Sequence, residues 1–288
     1  MIKTPAVILS SRSGDRGRKN LVCFTRQLGK LYVIAAGARK SSNHFGAGTE
    51  ALCQVEIMVH WRPGRPYHLL TGMSLIDPYW HLNDNLVALS LASQAAEITD
   101  RLTEPEHPIP ELYDLICFIL GSLDRIHPPM QRFLWYFVIH ALTLLGWEPV
   151  LDRCAHCGAA VITGDAVAAG FSQRLVAAGF SLRKQSHTAP VLYFSPSDGG
   201  ILCPACARNL HRGYTGARTV FPLSKQAFRY LLKLSTTRPS EIINIAIPKS
   251  VGKELSTALS GYLEWFLPVR LKSSQFLNRY QSNRIQVS

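Results

Sequence analysis

The chain has 288 residues, of which 47% are hydrophobic, and it carries a formal net charge of +12. This length is enough for two or three domains of roughly 100 to 150 residues each, and the apolar content excludes a mainly disordered protein. The N-terminus has no apolar run typical of a secretion signal and polar residues interrupt the longest apolar stretch, 133–150, so we expect a cytoplasmic protein without a membrane segment.

Five strand-like segments fill the first 80 residues. They are rich in β-branched, aromatic and apolar residues and are bounded by turn-forming residues: 5–11, 21–26, 30–37, 51–61 and 67–76. The connections at 26–29 and 62–66 have the composition of hairpin turns. Five strands in this length predict a small barrel of the OB type over residues 1–80, with a basic loop at 36–48.

From Asn83 the hydrophobic period becomes helical. Asn83 and Asp84 are candidate caps for a helix from about 85 to 102, and Pro110 occupies a favourable first position of the next helix. An almost wholly apolar helix opens at Pro128 and Pro129 and predicts a buried element. Helices return after residue 219. We therefore expect an α+β protein in which 81–150 and 220–288 form one helical domain around an inserted domain, 151–219.

Seven cysteines divide into two groups. Cys23, Cys53 and Cys117 lie in apolar runs and are expected in the core. The other four form two CxxC pairs, a pattern that in a chain without a signal peptide favours metal over disulfides. Four thiolates around one ion, with Zn–S near ~2.3 Å, make a closed structural zinc site. The ligands would be Cys154, Cys157, Cys203 and Cys206.

The spacing of the two pairs and the other known uses of paired cysteines bear on the zinc interpretation. The 45 residues between the pairs exceed the ~15 to 20 of a compact finger, so an insertion at 164–190 is expected. A thioredoxin-type pair has no use for a second CxxC, and a zinc deaminase needs a His-x-Glu sequence that the chain lacks. Unliganded core cysteines are the remaining alternative. His156 is expected beside the ligands, not among them.

No known catalytic motif is present. The sequence has no G-x-S-x-G, no P-loop and no H-E-x-x-H, and Glu104 and Glu106, in a proline-rich linker, are expected to be solvated. We therefore predict no catalytic residues and no cofactor other than a structural Zn²⁺.

The charge is unevenly spread along the chain. Residues 1–80 contain 11 Lys and Arg and 4 Asp and Glu, which gives a net charge of +7. Residues 81–150 contain 3 basic and 9 acidic residues, a net charge of −6, and residues 151–288 contain 17 and 6, a net charge of +11. Two basic blocks indicate a polyanionic partner, because clustered cations neutralise phosphates and release counterions. The candidate DNA-binding residues lie in the barrel: Arg12, Arg16, Arg18, Lys19, Arg26, Lys30, Arg39, Lys40 and His44.

Aromatic residues and a second basic stripe add to this interpretation. Phe24 and Tyr32 are candidates for stacking on bases, although an aromatic residue on a strand is more often part of the core. Lys225, Arg229 and Lys233 recur every four residues on one helix, which fits a soluble surface and a second phosphate track equally.

Several passages resemble the RecO family of bacterial recombination mediators. FTRQLGKLYVIAAGARKSSNHFGAG and the strands through TGMSLID are similar to the N-terminal OB domain of that family. LLGWEPVLDRCAHCG and YFSPSDGGILCPACA resemble the helix-to-finger passage of its zinc-bearing members, and YLEWFLPVRLKSSQFL resembles their last helix.

The resemblance implies a non-enzymatic, nucleoid-associated protein. Such a protein binds single- and double-stranded DNA, anneals complementary strands and, with RecR and the single-strand binding protein, loads RecA onto gapped DNA. The resemblance also implies that the four paired cysteines bind zinc and that Arg26, Lys30, Arg39 and Lys40 face DNA.

Members of the family dock the acidic tail of the single-strand binding protein on the helical domain. The first part of that domain is acidic in this sequence, and only Arg101, Arg125 and Arg132 are basic there. We predict Arg125 and Arg132 as the partner-binding residues. Two rival functions stay open: a zinc-finger RNA-binding or ribosome-associated protein, and an enzyme of nucleic-acid metabolism with an unrecognised site.

Overall fold

The first 77 residues form a closed five-stranded barrel. The computed structural model describes residues 1–36, 46–126, 130–161, 192–213, 219–267 and 271–273. The barrel strands, in the order β1-β2-β3-β5-β4, are β1 (Ile2–Ser13), β2 (Lys19–Thr25), β3 (Gly29–Ala35), β4 (Gln54–His60) and β5 (His68–Asp77). Only the contact between β3 and β5 is parallel among these pairs. The predicted OB-type barrel is confirmed.

Alternate residues of the barrel strands fill its interior, as the period of a strand requires. Leu21 and Cys23 of β2 face the core together with Leu31 and Val33 of β3. Burial raises the pKa of the Cys23 thiol to about 12, so this cysteine stays a neutral core residue as predicted. Cys117, also assigned to the core, is only partly buried.

Three helices follow the barrel: α1 (Leu86–Leu102), α2 (Pro110–Arg125) and α3 (Gln131–Leu144). The side chain of Asn85 accepts hydrogen bonds from the backbone N–H groups of Val87 and Ala88, at 2.9 and 3.2 Å, and so caps α1. The predicted caps Asn83 and Asp84 instead end a short 3₁₀ turn, so that prediction is wrong by one or two residues. Pro110 opens α2 as predicted, and α3 is buried on most sides.

The chain divides into two compact units. Unit 1 comprises Met1–Leu144 with Phe266–Ser288, and unit 2 comprises Leu145–Trp265. The described part of unit 2 contains a small sheet in the order β7-β6-β8 and three helices. The elements are β6 (Leu192–Ser195), β7 (Gly200–Leu202), β8 (Phe221–Leu223), α4 (Pro204–Gly213), α5 (Lys225–Thr236) and α6 (Lys249–Phe266). The division into three domains at 80, 150 and 219 stays a prediction. None of the described helices has the length and apolarity needed to cross a membrane.

Candidate metal centre and nucleic-acid interface

Four cysteine side chains meet at one point in unit 2. Their Sγ atoms all lie within 4.8 Å of one another, and the Sγ atoms of Cys157 and Cys203 are 3.9 Å apart. A tetrahedral ion bound at ~2.3 Å separates its sulfur ligands by roughly 3.8 Å, so the cluster could hold a metal ion with little adjustment. The cluster consists of the residues that the sequence predicted: Cys154, Cys157, Cys203 and Cys206.

Each pair of cysteines lies in a tight backbone turn. In the first turn the N–H of Gly158 donates to the carbonyl oxygen of Cys154 at 2.9 Å, and Gly158 has a φ of +73°, which glycine adopts without strain. In the second turn Cys203 follows β7 directly and Pro204 opens α4. A strand therefore leads directly into the second pair, and a helix follows it.

Backbone hydrogen bonds hold the two turns together. Val150 donates its N–H to the carbonyl oxygen of Gly199 and accepts from the N–H of Ile201, both at 2.9 Å, and Ala155 donates to the carbonyl oxygen of Ile201 at 2.7 Å. Gly200 lies so close to Val150 that any side chain at residue 200 would collide with the Val150 backbone. The first cysteine turn is thus fixed against β7, which leads into the second.

The polypeptide around the sulfur atoms favours thiolate at one position. Burial raises the pKa of the Cys154 thiol, but the N–H groups of Cys203, Cys157 and His156 outweigh burial and lower this pKa to about 7. Burial raises the pKa of Cys203 and of Cys206. A bound cation favours the thiolate form of its cysteine ligands, so its binding would release protons.

His156 lies beside the cysteines and is not part of the cluster. Its Nδ1 atom is 3.4 Å from Oδ1 of Asp198, and the Asp198 carboxylate also accepts from the hydroxyl of Ser195 at 2.6 Å. The imidazole therefore connects the first cysteine turn to the turn between β6 and β7. This arrangement agrees with the expectation that His156 is a neighbour of the ligands.

We expect Cys203→Ser to remove bound metal and to lower the free energy of unfolding, because three thiolates cannot complete a closed four-ligand site. Metal content per chain, measured by elemental analysis, and thermal unfolding with and without a chelator are the measurements. Cys117→Ser, which changes a cysteine outside the cluster, is the control and should keep its metal. Full metal content in Cys203→Ser would contradict the ligand assignment.

The outer face of β2 and β3 carries an exposed apolar and aromatic surface. In OB folds this face, with the β1–β2 and β4–β5 loops, is where oligonucleotides bind. Val22 pairs with Tyr32 across the two strands, and both are partly exposed. Tyr67 is 58% exposed, and its ring centroid lies 6.1 Å from that of Tyr32. Leu69, also exposed, extends the surface onto β5.

Exposed arginines lie in or next to the two loops that flank this face. Arg12 and Arg18 are at the β1–β2 connection, and Arg62 and Arg65 are in the β4–β5 loop. None of the four forms an ion pair with another residue of the described ranges. Arg62, Arg65 and Tyr67 are not among the predicted DNA-binding residues. The segment Arg-Pro-Gly-Arg-Pro, 62–66, predicts only a turn. We call this surface, formed by Val22, Tyr32, Tyr67, Leu69 and the four arginines, the barrel face.

Two of the predicted DNA-binding cations, Lys19 and Arg26, are engaged within the protein. The ammonium of Lys19 lies 2.9 Å from Oγ1 of Thr49 and 2.6 Å from Oε1 of Glu50. The guanidinium of Arg26 donates two hydrogen bonds to the Asp114 carboxylate, at 3.0 and 3.1 Å, which raise the pKa of Arg26. Both positive charges are therefore neutralised by carboxylates of the protein itself.

Lys30 is the clearest departure from the predicted set. Its side chain is only 6% exposed, and its Nζ atom donates to the carbonyl oxygen of Asp100 and lies 3.4 Å from the Asp100 carboxylate. Phe24, opposite Lys30 on β2, is fully buried. The burial of the Lys30 ammonium argues against its contact with DNA. The burial of the Phe24 ring agrees with the alternative that this aromatic residue belongs to the core.

Other predicted residues lie outside the described part of the chain or are only partly accessible. Arg39, Lys40 and His44 are outside the described residues, and so is the side chain of Arg16. Arg125 is exposed and pairs with Asp77 at 2.9 Å, whereas Arg132 is 7% exposed and burial lowers its pKa. The burial of Arg132 argues against its contact with a docking peptide.

A carboxylate in the linker between α1 and α2 fixes the β4–β5 loop. Oε2 of Glu106 accepts from the N–H of Gly64 at 3.0 Å, and Oε1 lies 3.2 Å from Nε2 of the buried His68. Glu106 holds a left-handed φ of +57°, and its own N–H donates to the carbonyl oxygen of Lys30 at 3.0 Å. The expectation that Glu106 is merely solvated is therefore wrong: it positions the loop that carries Arg62 and Arg65.

Replacing Glu106 with alanine should loosen this loop. A hydrogen bond to a charged group contributes about 1.5 to 3 kcal/mol, so hydrogen exchange of the Gly64 amide should accelerate by roughly tenfold or more. Amide exchange followed by NMR or mass spectrometry measures this. Glu104→Ala, which removes an exposed carboxylate from the same linker, should leave the rate unchanged. Equal protection of Gly64 in both variants would show that Glu106 does not hold the loop.

Comparisons with known proteins agree on one family. A family model described as "Recombination protein O N terminal" matches residues 1–79, and one described as "Recombination protein O C terminal" matches residues 83–185. The first match coincides with the barrel, and the second includes the first cysteine pair.

Full-length relatives carry the same family name. The chain is similar to two proteins named "DNA repair protein RecO". It is 28% identical over 277 residues to the one from Anaeromyxobacter dehalogenans (strain 2CP-C) and 24% identical over 275 residues to the one from Caldanaerobacter subterraneus subsp. tengcongensis. Each alignment covers 96% of both chains. A relative from Roseiflexus sp. (strain RS-1) is 29% identical over 278 residues, which are 96% of this chain and 84% of the relative.

Proposed function

Since the chain belongs to the RecO family and thereby has a role in DNA repair and recombination, we propose that it binds single- and double-stranded DNA and anneals complementary strands. The observation that carries this proposal is the barrel face. There the exposed Tyr67 lies beside the partly exposed Tyr32, and the four arginines of the face form no ion pair with the described residues.

The barrel face suits binding that is independent of sequence. Aromatic rings stack on the faces of all four bases, with about 1 to 3 kcal/mol per stacked base, and arginines at the edges neutralise phosphates. Such contacts do not read base edges, which an annealing protein must leave free for pairing. Annealing needs no covalent chemistry, because neutralising both backbones lowers the repulsion that opposes their approach.

We infer that the ion held by the four cysteines is Zn²⁺ in a structural role. Four thiolates in two CxxC turns form the donor set that zinc prefers, and a closed set leaves no position for water. The ion would contribute folding free energy by joining the two turns, each of which lies at the end of a short element. We propose no enzymatic activity for this site.

The partners that we propose follow from the family. They are RecR, the acidic C-terminal tail of the single-strand binding protein and, indirectly, RecA on gapped DNA, which would place the protein at the nucleoid. Exposed Arg125 is the remaining candidate for contact with the acidic tail. The RNA-binding alternative is tested by measuring the affinities for a structured RNA and for single-stranded DNA at the same salt concentration. Tighter binding of the RNA would favour that alternative.

Neutralising the β4–β5 loop should weaken DNA binding in a salt-dependent way. For Arg62→Gln with Arg65→Gln, the slope of log K against log salt for a fluorescent oligo(dT) should decrease by about 1.4, since each contact to a single strand contributes about 0.7. Strand annealing should slow in parallel. The control is Lys3→Gln with Arg153→Gln, which removes the same charge from cations that already pair with Glu56 and Asp152. A control that loses as much slope would show that only total charge matters.

Removing the exposed ring of Tyr67 should weaken DNA binding without changing its dependence on salt. Tyr67→Ala should raise the dissociation constant for oligo(dT) by roughly 5-fold to 150-fold, the equivalent of one stacked base, without changing the salt slope. Fluorescence anisotropy at several salt concentrations measures both quantities. Trp80→Ala, which removes an aromatic side chain that is 60% exposed in the turn after β5, should bind normally. Unchanged affinity in Tyr67→Ala would remove Tyr67 from the interface.

A further inference from the structure

Two exposed tryptophans lie near the first and the last residue of unit 2. Trp147, in the segment before the first cysteine turn, is 37% exposed, and Trp265, at the end of α6, is 59% exposed. Single apolar residues are common on protein surfaces, whereas neighbouring ones mark places where a partner binds. The position of these two side chains relative to each other therefore decides whether they have a common role.

A buried tyrosine brings the two tryptophans into one region. The hydroxyl of Tyr262, on α6, donates to the carbonyl oxygen of Trp147 at 2.9 Å, and its ring packs edge-on against that of Phe194, with the centroids 5.1 Å apart. Trp265 follows Tyr262 by three residues, and residues three apart on a helix are neighbours, with Cβ atoms about 5 to 6 Å apart. The backbone of Trp147 and the side chain of Trp265 therefore lie beside the same residue.

Each tryptophan has an exposed glutamate as its chain neighbour. Glu148 follows Trp147 and Glu264 precedes Trp265, and neither glutamate forms an ion pair with a residue of the described ranges. Glu264 also lies in the last turn of α6, which has no basic residue. The C-terminus of a helix carries a partial negative charge, so a carboxylate there is repelled and a cation is attracted. We call Trp147, Glu148, Glu264 and Trp265 the tryptophan surface.

The charge of the tryptophan surface is opposite to that of the whole chain. Other carboxylates of unit 2 have partners within the protein: Asp198 accepts from the hydroxyl of Ser195, and Glu254 accepts from the backbone N–H of Ser224. The carboxylates of the tryptophan surface stay available, although the chain has a net charge of +12. They repel the phosphates of DNA and attract a cation, so this surface is suited to a basic ligand.

We propose that the tryptophan surface binds an arginine-bearing segment of a partner protein. The planar guanidinium group of arginine stacks on an aromatic face and forms paired hydrogen bonds with a carboxylate, so arginine uses both kinds of group that this surface offers. Tryptophan and arginine are also enriched among the residues that contribute most to binding at protein interfaces. The inference is independent of the proposed DNA binding, which uses the barrel face.

The test uses the full-length protein and a fluorescein-labelled peptide of alternating Arg and Gly residues. A chain with a net charge of +12 repels such a peptide in general, so binding of the peptide reports a local site. Trp265→Ala should raise the dissociation constant, measured by fluorescence anisotropy, by roughly 2-fold to 30-fold, the range for one cation–π contact. Trp80→Ala, which removes a tryptophan of unit 1 that is 60% exposed, should bind the peptide normally.

The two carboxylates are tested with Glu148→Gln combined with Glu264→Gln. This variant should also bind the peptide roughly 2-fold to 30-fold more weakly, the range for two exposed ion pairs. It should unfold at the same or a higher temperature, because it removes a carboxylate from a helix C-terminus. The control, Glu104→Gln with Glu241→Gln, removes the same charge from exposed glutamates that are not next to a tryptophan in the chain. Equal affinities of both variants for the peptide would overturn the proposal.

Further measurements distinguish other occupants of the tryptophan surface. A peptide of alternating Lys and Gly has the same charge and should bind more weakly; equal affinity would show that the surface does not select arginine. If sedimentation shows that the unaltered protein is a dimer and Trp265→Ala a monomer, a second copy of the chain covers the surface and the proposal is wrong. Oligo(dT) binding should be the same in Trp265→Ala. An unaltered protein that binds oligo(dT) but not the arginine peptide would refute this inference alone.

Discussion

The burial of one ammonium group determines which part of the barrel can meet a ligand. Lys30 points away from the barrel core, yet its Nζ atom is covered and is held by the carbonyl oxygen and carboxylate of Asp100 in α1. A buried charge is tolerated only when it is paired and hydrogen-bonded, so this contact fixes α1 and the linker after it against β3. Gly29 supports the same arrangement, because a side chain there would collide with the backbone of His107. One half of the outer face of β2 and β3 is therefore covered, and the half with Val22 and Tyr32 is left to solvent.

The acidic segment after the barrel has a structural explanation in the same contacts. Asp100 and Asp114 neutralise Lys30 and Arg26 of the barrel, and Glu106 holds the β4–β5 loop. Three of the nine acidic side chains of residues 81–150 thus contact groups of the barrel. Among the described residues, the four arginines of the barrel face form no ion pair. Their positive charge is therefore available to a ligand of this face.

The sequence predicted those features that depend on local pattern. Alternation of apolar residues gives the five strands, and repeated CxxC spacing gives the four ligands, because both signals are contained within a few neighbouring residues. The direction in which a cation points was not predictable in this way. Lys30 and Asp100 are 70 residues apart, and Arg26 and Asp114 are 88 apart, so only the packing of helices on the barrel shows that these charges are paired. Tyr67 was missed for a related reason: its neighbour Tyr32 lies on a different strand.

The proposed chemistry of the barrel face also explains how an annealing protein would release its product. Tyrosine rings stack on bases that are unpaired and accessible. Once two strands pair, their bases stack within the duplex, and the contacts with Tyr32 and Tyr67 are lost. The arginines of the flanking loops still meet phosphates, but this sequence-independent attraction weakens steeply with salt. Stacking therefore favours the substrate over the product, and base pairing itself supplies the free energy that moves the strands off the protein.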